Sequence, residues 1–379
     1  MKRQLSITIL LTMLMSMVGA KAFAYDVAAV NDDGVVIYYY LSWNSNQQAY
    51  ELSVTSYDKL GSTNKYAGYV AIPESAVYQG KACPVTSIGD MAFLSCSDLF
   101  AVDIPNTVKS IGNAAFQYCD GLTSVSIPSS VTSIGYSAFD NCRNMTSVTI
   151  HSGVKSINGS AFRYCISLTS VTIPSSVTSI GGAAFSFCTG LTSIDVETGN
   201  TKYDSRNNCN AIIETSSNTL IAGCKNTVIP DGVASIGVDA FYGCSGLTSA
   251  IIPSSVTSIG DRAFLNCSNL KTIVSEITEP FEIGEIAATS VVLIVPVGTR
   301  TAYQSTAGWS SFTNILEVGE GGAVGNTFEK DGIFYTIGEN NTASVTSAKT
   351  DLSGALVIPS EVELNGKKYD VTSIKGWAF

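Results

Sequence analysis

The chain has 379 residues, 45% of them hydrophobic and 14% charged, which is enough apolar material to bury a substantial core. With 21 Lys and Arg against 31 Asp and Glu, its net charge of −10 argues against nucleic acid or an anionic membrane as a partner. The charges are spread along the chain, so they read as a solvated surface rather than an acidic binding tail.

In chain order, Lys2 and Arg3 precede an apolar run from Ile7 to Val18 and the small-x-small site Ala22-Phe23-Ala24. This is the pattern of a cleaved secretory signal peptide over residues 1–24, with the exported chain starting at Tyr25. Without Lys2, Arg3 and Lys21 the charge falls from −10 to −13. No later segment offers the roughly 18 uninterrupted apolar residues of a spanning helix, so no membrane span is expected. Residues 25–84 follow as an N-terminal capping module that carries the aromatic cluster Tyr38, Tyr39, Tyr40 and Trp43.

A 23-residue pattern then starts at Val85 as VTSIGDMAFLSCSDLFAVDIPNT. It restarts at Val108, Val131, Val154 and Val177, and again at Val233 and Val256. The copies align into columns: the Ile of Ile88, the Ala-Phe of Ala92-Phe93, the Cys of Cys96 and the Leu of Leu99 each recur with the repeat. One copy cannot bury so many apolar groups alone, so stacked copies must bury them against their equivalents. Within a copy, Val125-Ser126-Ile127 alternates as a half-buried strand, and Pro128 ends it because proline donates nothing to a ladder. The glycine after each column Ile (Gly89, Gly112, Gly135, Gly181, Gly237, Gly260) marks a turn, with Asn158 in its place as the next best residue for positive φ. Each copy is therefore expected to hold one strand, a turn and a short helical or irregular return through Ala-Phe. Equivalent strands stack in parallel about 4.8 Å apart.

The pattern V-x-S-I-G-x-x-A-F-x-x-C-x-x-L-x-x-V-x-I-P resembles the BspA-type leucine-rich repeats of bacterial surface proteins, directly over Val85 to Ile273. The resemblance implies an α/β, β-rich leucine-rich-repeat solenoid with stacked parallel strands and flanking capping modules. It also implies attachment to extracellular-matrix proteins, aggregation and host contact, the roles in which family members are implicated. In leucine-rich repeats generally the Cys column holds Asn or Cys and lines the inside of the turn.

The array spans residues 85–273, with an enlarged rung at about 200–232 whose two apolar runs around a Ser-Ser-Asn turn signal a protruding hairpin. Residues 274–317 read as a C-terminal cap, in which Tyr303, Trp309, Phe312 and Ile315 form a helix-plus-strand over the last rung. A Gly-rich linker occupies residues 318–327. Residues 328–379 repeat the N-terminal order, since Ile358 precedes Val371 by the same 13 residues that separate Ile72 from Val85. They read as a second capping module plus the start of a truncated repeat, and the chain is read as a fragment or truncated product.

Seven of the 10 cysteines occupy one column, where parallel neighbours suit a buried thiol ladder better than disulfides. Cys83, Cys209 and Cys224 lie off it; Cys209 and Cys224 flank the hairpin as packed thiols, with a disulfide as the alternative. No close pair of cysteines with histidine suggests a metal site. No phosphate-binding loop is present, and His151, the single histidine, reads as a surface turn residue. No cofactor and no catalytic activity are expected. What remains is the outward strand column, Asp103, Ser126, Thr149, Thr172, Asp195 and Ile251, a binding ribbon that turns apolar at Ile251 and Val274. The favoured function is a secreted or cell-surface adhesion module that binds a host or bacterial protein. The alternative is a glycan-binding or enzyme-accessory surface component, kept open by the Tyr38–Trp43 cluster.

Overall fold

The computed structural model describes residues 25–56 and 66–318, and in the tail residues 327–330, 333–337, 342–348, 358–364 and 367–374. The signal-peptide segment, nearly all of the Gly-rich linker and the last residues of the tail repeat lie outside the described residues. The chain divides into two compact units, Met1–Ser205 and Arg206–Phe379.

The first unit opens with an antiparallel meander, Val27–Val30, Val36–Asn44 and Ala49–Thr55. Alternation along Val36–Asn44 sends Ile37 and Tyr39 into the core and leaves Tyr40 exposed, while Trp43, on the Ile37 face but near the strand's far end, is also exposed. The third strand then pairs in parallel with Lys81–Ile88, which also forms a hairpin with Ser75–Tyr78. Lys81–Ile88 thus joins the meander to the repeats, with Ser87 and Ile88 pairing in parallel with Ser110 and Ile111.

Each repeat contributes two strands rather than one. The expected strand is Ser124–Ile127, which lies parallel and in register with Ser147–Ile150; Ser170–Ile173 pairs likewise with Ser193–Val196. The second is the two-residue Ser-Ile step, Ser110–Ile111, Ser133–Ile134, Ser156–Ile157 and Ser179–Ile180, which forms its own parallel ladder. Two residues have no period to read, so only the burial of Ile was legible beforehand.

The return through Ala-Phe is a run of turns, not a helix. Two residues per repeat take left-handed φ without being glycine: Met91, Ala114, Ser137 and Ser160 before Ala-Phe, and Ser95, Tyr118, Asn141 and Tyr164 before Cys. Such a residue costs about 1–2 kcal/mol. The offset is a third set of inter-rung hydrogen bonds: Met91, Phe93 and Ser95 N–H donate to the carbonyls of Asn113, Ala115 and Gln117 at 2.9, 2.7 and 2.8 Å. Their neighbours Ala92, Leu94 and Cys96 donate within their own rung.

The column glycines correct the sequence expectation, because none of Gly89, Gly112, Gly135 or Gly181 has positive φ. They are small for another reason: a Cβ on Gly135 would sit 2.4 Å from the Gly112 carbonyl carbon, and one on Gly181 would sit 2.3 Å from Gly159 N. Stacking distance, not turn type, selects glycine there.

Phe93, Phe116, Phe139, Phe162 and Phe185 form a continuous stack with centroids 4.7, 5.1, 5.3 and 5.6 Å apart and planes within 8°. All ten cysteines are buried free thiols, Cys209 and Cys224 included. Five column sulfurs donate to the Phe carbonyl of the preceding rung, among them Cys119 to Phe93 at 3.0 Å, Cys142 to Phe116 at 3.1 Å and Cys165 to Phe139 at 3.2 Å. A residue with a small apolar body and a donor tip satisfies a buried carbonyl there without a cavity.

In the second unit the inserted hairpin, Ala211–Glu214 with Thr219–Gly223, forms where its turn residues predict. It does not protrude. Ala211, Ile212, Ile213 and Leu220 are fully buried, and Thr219–Gly223 pairs in parallel with Ser235–Ile236, so the hairpin's second arm is itself a member of the short-strand ladder. Four parallel strands, Ser249–Ile252, Thr272–Ser275, Val292–Val295 and Asn314–Glu317, form the long-strand sheet of this unit. The helix Arg300–Ser305 buries Tyr303 against Trp309, 5.1 Å away and edge-on, and the Trp309 indole donates to the Phe281 carbonyl at 2.9 Å. The tail strands have the same order and directions as the first meander: Thr327–Lys330, Ile333–Ile337 and Thr342–Ala348 antiparallel, then a parallel step to Lys367–Ile374, itself in a hairpin with Glu361–Leu364. Their core is Ile333, Tyr335, Ala343, Val345, Val362 and Tyr369.

Candidate functional site

The long strands fix the candidate face residue by residue. In the first unit, period-two alternation buries Val125 and Ile127, and leaves Asp103, Ser126, Thr149, Thr172 and Asp195 exposed. Ser126 pairs in register with Thr149, and Thr172 with Asp195. Ile251 belongs to the second unit, where it is half-buried and pairs with Val274.

Two kinds of hydroxyl stand along these strands. Those of Thr123, Thr146, Thr169 and Thr192 donate to the carbonyl of the preceding rung at 3.4, 3.2, 3.3 and 2.9 Å, which makes them part of the scaffold. The Thr149 and Thr172 hydroxyls make no side-chain hydrogen bond among the described residues and are open to a partner. At the margins, Asp103 accepts from the Tyr69 hydroxyl, and Asp195 accepts from Ser205 at 3.0 Å.

A cleft of about 750 Å³ borders the ribbon, lined by Asp103, Asn106, Ser126, Ser129 and His151 among others. His151 Nε2 lies 3.2 Å from Ser126 Oγ. The sequence placed His151 in a surface turn, which it occupies, but not beside Ser126. The signal was present in the spacing, because His151 follows Thr149 by two residues and Thr149 is the rung neighbour of Ser126. Among the described residues no carboxylate reaches the other ring nitrogen, so the pair lacks the third group that orients a catalytic histidine. Asp140 was also missed. It is buried, and accepts from Gln117 at 2.8 Å and from Arg163 at 3.3 Å, one rung away on either side.

Five thiols of the column are poor nucleophiles. Burial pushes Cys119, Cys142 and Cys165 well above the ordinary thiol range, and Cys244 and Cys267 up to about 12. Among the described residues no three His, Cys, Asp or Glu gather around a possible metal, and no helix is long and apolar enough to cross a membrane. In the N-terminal aromatic cluster Tyr39 is buried, Tyr38 is half-buried, and Tyr40 and Trp43 are exposed.

The sequence profile of the BspA type leucine rich repeat region matches this chain in 6 copies over residues 86–214 and 212–287, more than half of its length. The chain belongs to that family. The BspA-type family is one of bacterial surface proteins, in general protein-interaction modules, and no catalytic family is indicated for the chain. No curated protein matches it. Among solved structures, a leucine rich cell surface protein from Faecalibacterium prausnitzii is 24% identical, covering 78% of this chain and 95% of that one at a TM-score of 0.44. A leucine-rich repeat protein from Bacteroides ovatus is 23% identical, with coverages of 77% and 88% and a TM-score of 0.43. A leucine rich repeat protein from T. pallidum is also 23% identical, with coverages of 61% and 87% and a TM-score of 0.41.

Proposed function

We propose that this BspA-type chain is an exported, non-catalytic adhesion module that binds an extracellular or surface protein through the long-strand face of its first unit. The observation that carries the reading is the row Asp103, Ser126, Thr149, Thr172 and Asp195, exposed on parallel strands, with the Thr149 and Thr172 hydroxyls uncommitted. A face built on ladder strands is held rigid before the partner arrives, so association loses little conformational freedom on this side. Export is supported by the Lys2–Ala24 leader pattern and by the surface habit of the family.

The test is binding of the purified full chain to immobilised fibronectin, fibrinogen and laminin, compared with a variant carrying Ser126→Lys, Thr149→Lys and Thr172→Lys. Saturable binding that the triple variant loses is the expected result. Binding that the triple variant retains, or no binding to any of the three, overturns the proposal.

A further inference from the structure

We infer that the N-terminal module carries a second binding site, separate from the long-strand face, that takes a neutral saccharide on the exposed rings of Trp43 and Tyr50 and the half-buried ring of Tyr78. Trp43 and Tyr50 are cross-strand partners in the meander, edge-on at 5.0 Å, and Tyr50 meets Tyr78 of the Ser75–Tyr78 hairpin edge-on at 5.5 Å. Trp43 is 53% exposed and Tyr50 39%. Buried aromatics elsewhere in the chain fill the core, whereas Trp43 and Tyr50 leave apolar faces in water beside the half-buried Tyr78, and the contact between two hairpins holds the rings in place without a loop of their own.

The surroundings select the ligand. From Gly34 to Tyr50 the chain carries no charged residue, and Ser75–Gly80 carries none either, in a protein of net charge −10. Both hairpin tips present amides instead. Asn46, Gln47 and Gln48 are exposed at the first turn, and Gln79 at the second donates to the Tyr78 hydroxyl at 3.2 Å. Glu51 points to the opposite face of its strand, where it accepts from Asn44 at 2.6 Å and Thr86 at 3.1 Å. Lys81, opposite Tyr78 in the hairpin register, borders the patch.

Exposed ring faces flanked by uncharged planar amides and phenol hydroxyls match a pyranose, which offers an apolar C–H face and a rim of hydroxyls that both donate and accept. A cationic peptide would find too little negative charge here, and an apolar helix would leave the amide rim unpaired.

The experiment titrates the full chain with cellohexaose, mannohexaose and maltohexaose, with hexagalacturonate as the anionic comparison. The readouts are calorimetry and the rate of Trp43 oxidation by N-bromosuccinimide, mapped by peptide mass. The expected result is that at least one neutral hexaose binds and slows Trp43 oxidation about tenfold. Trp43→Ala should weaken that binding about tenfold or more, with Thr149→Lys leaving it unchanged. Because Trp43→Ala removes a large ring, Tyr78→Ala and the oxidation readout on the unaltered chain keep the outcome decisive should that variant fold poorly. The inference is overturned if none of the neutral hexaoses protects Trp43, if only hexagalacturonate does, if Tyr78→Ala binds as the unaltered chain does, or if fibronectin protects Trp43 where the sugars do not. Loss of matrix binding in the triple lysine variant, by contrast, bears only on the long-strand face.

Discussion

Phe139 is wholly buried between Phe116 at 5.1 Å and Phe162 at 5.3 Å, with its plane within 3° of both. Removing it deletes contacts on both sides at once, and the rungs above and below cannot collapse into the space without breaking their own ladders. Phe139→Ala should therefore cost about 3–5 kcal/mol in urea or thermal unfolding, the range for a large aromatic lost from a core. Thr149 stands in the same rung but faces water with its hydroxyl uncommitted, so Thr149→Ala should stay within about ±0.5 kcal/mol. An unmoved melting curve for Phe139→Ala would contradict the stacking. The two residues are ten apart in sequence, and their contrast follows from direction alone, one pointing into the stack and one away from it.

At the scale of the element, the glycine column makes the sharpest contrast. Gly135 follows the short strand Ser133–Ile134, where a Cβ would lie 2.4 Å from backbone of the rung beneath, whereas a Cβ on Gly182 would meet nothing within 4 Å. Neither has positive φ. Gly135→Ala has to push two rungs apart and should destabilise by at least about 1–3 kcal/mol, the usual cost of overpacking. Gly182→Ala should be neutral or stabilising by about 0.4–1 kcal/mol, because alanine restricts only the unfolded chain. Comparable chemical-denaturation midpoints for the two variants would show that the rungs do not stack as closely as described. These elements also show what a sequence can and cannot disclose. The long strands were legible because Val125, Ser126 and Ile127 alternate and Pro128 stops them, and the exposed ribbon followed from the same alternation. The Ser-Ile ladder was not, since two residues carry no alternation, and the glycine beside it looked like a turn signal when it is a spacing requirement. The inserted hairpin was legible as a hairpin, but turn residues say nothing about depth, and only Thr219–Gly223 lying beside Ser235–Ile236 puts it inside the ladder. The link from Ser126 to His151 needed the 23-residue offset applied to side chains rather than to strands.

At the scale of the whole molecule, the repeated thiol turns a local property into a collective one. Burial holds Cys119, Cys142 and Cys165 well above the ordinary thiol range, and Cys244 and Cys267 at about 12. A thiol in the unfolded chain ionises near pH 8.5–9, while its folded counterpart keeps its proton. Below that pH both states are protonated and the stability is fully present. Above it the folded state binds more protons than the unfolded one, so stability falls as pH rises toward the folded values. Each such thiol adds up to about 1.4 kcal/mol per pH unit to the slope. Between pH 8.5 and 10 the thiols lead the fall, because unfolded tyrosines ionise only near 10. Urea midpoints should thus hold steady from pH 7 to 8 and then drop steeply, and replacing Cys142 and Cys165 by Ala should flatten that drop even though it lowers the midpoint at pH 7. A slope unchanged by the double replacement would mean that these sulfurs are not held protonated by the fold, and the carbonyl-capped thiol column would lose its main physical consequence.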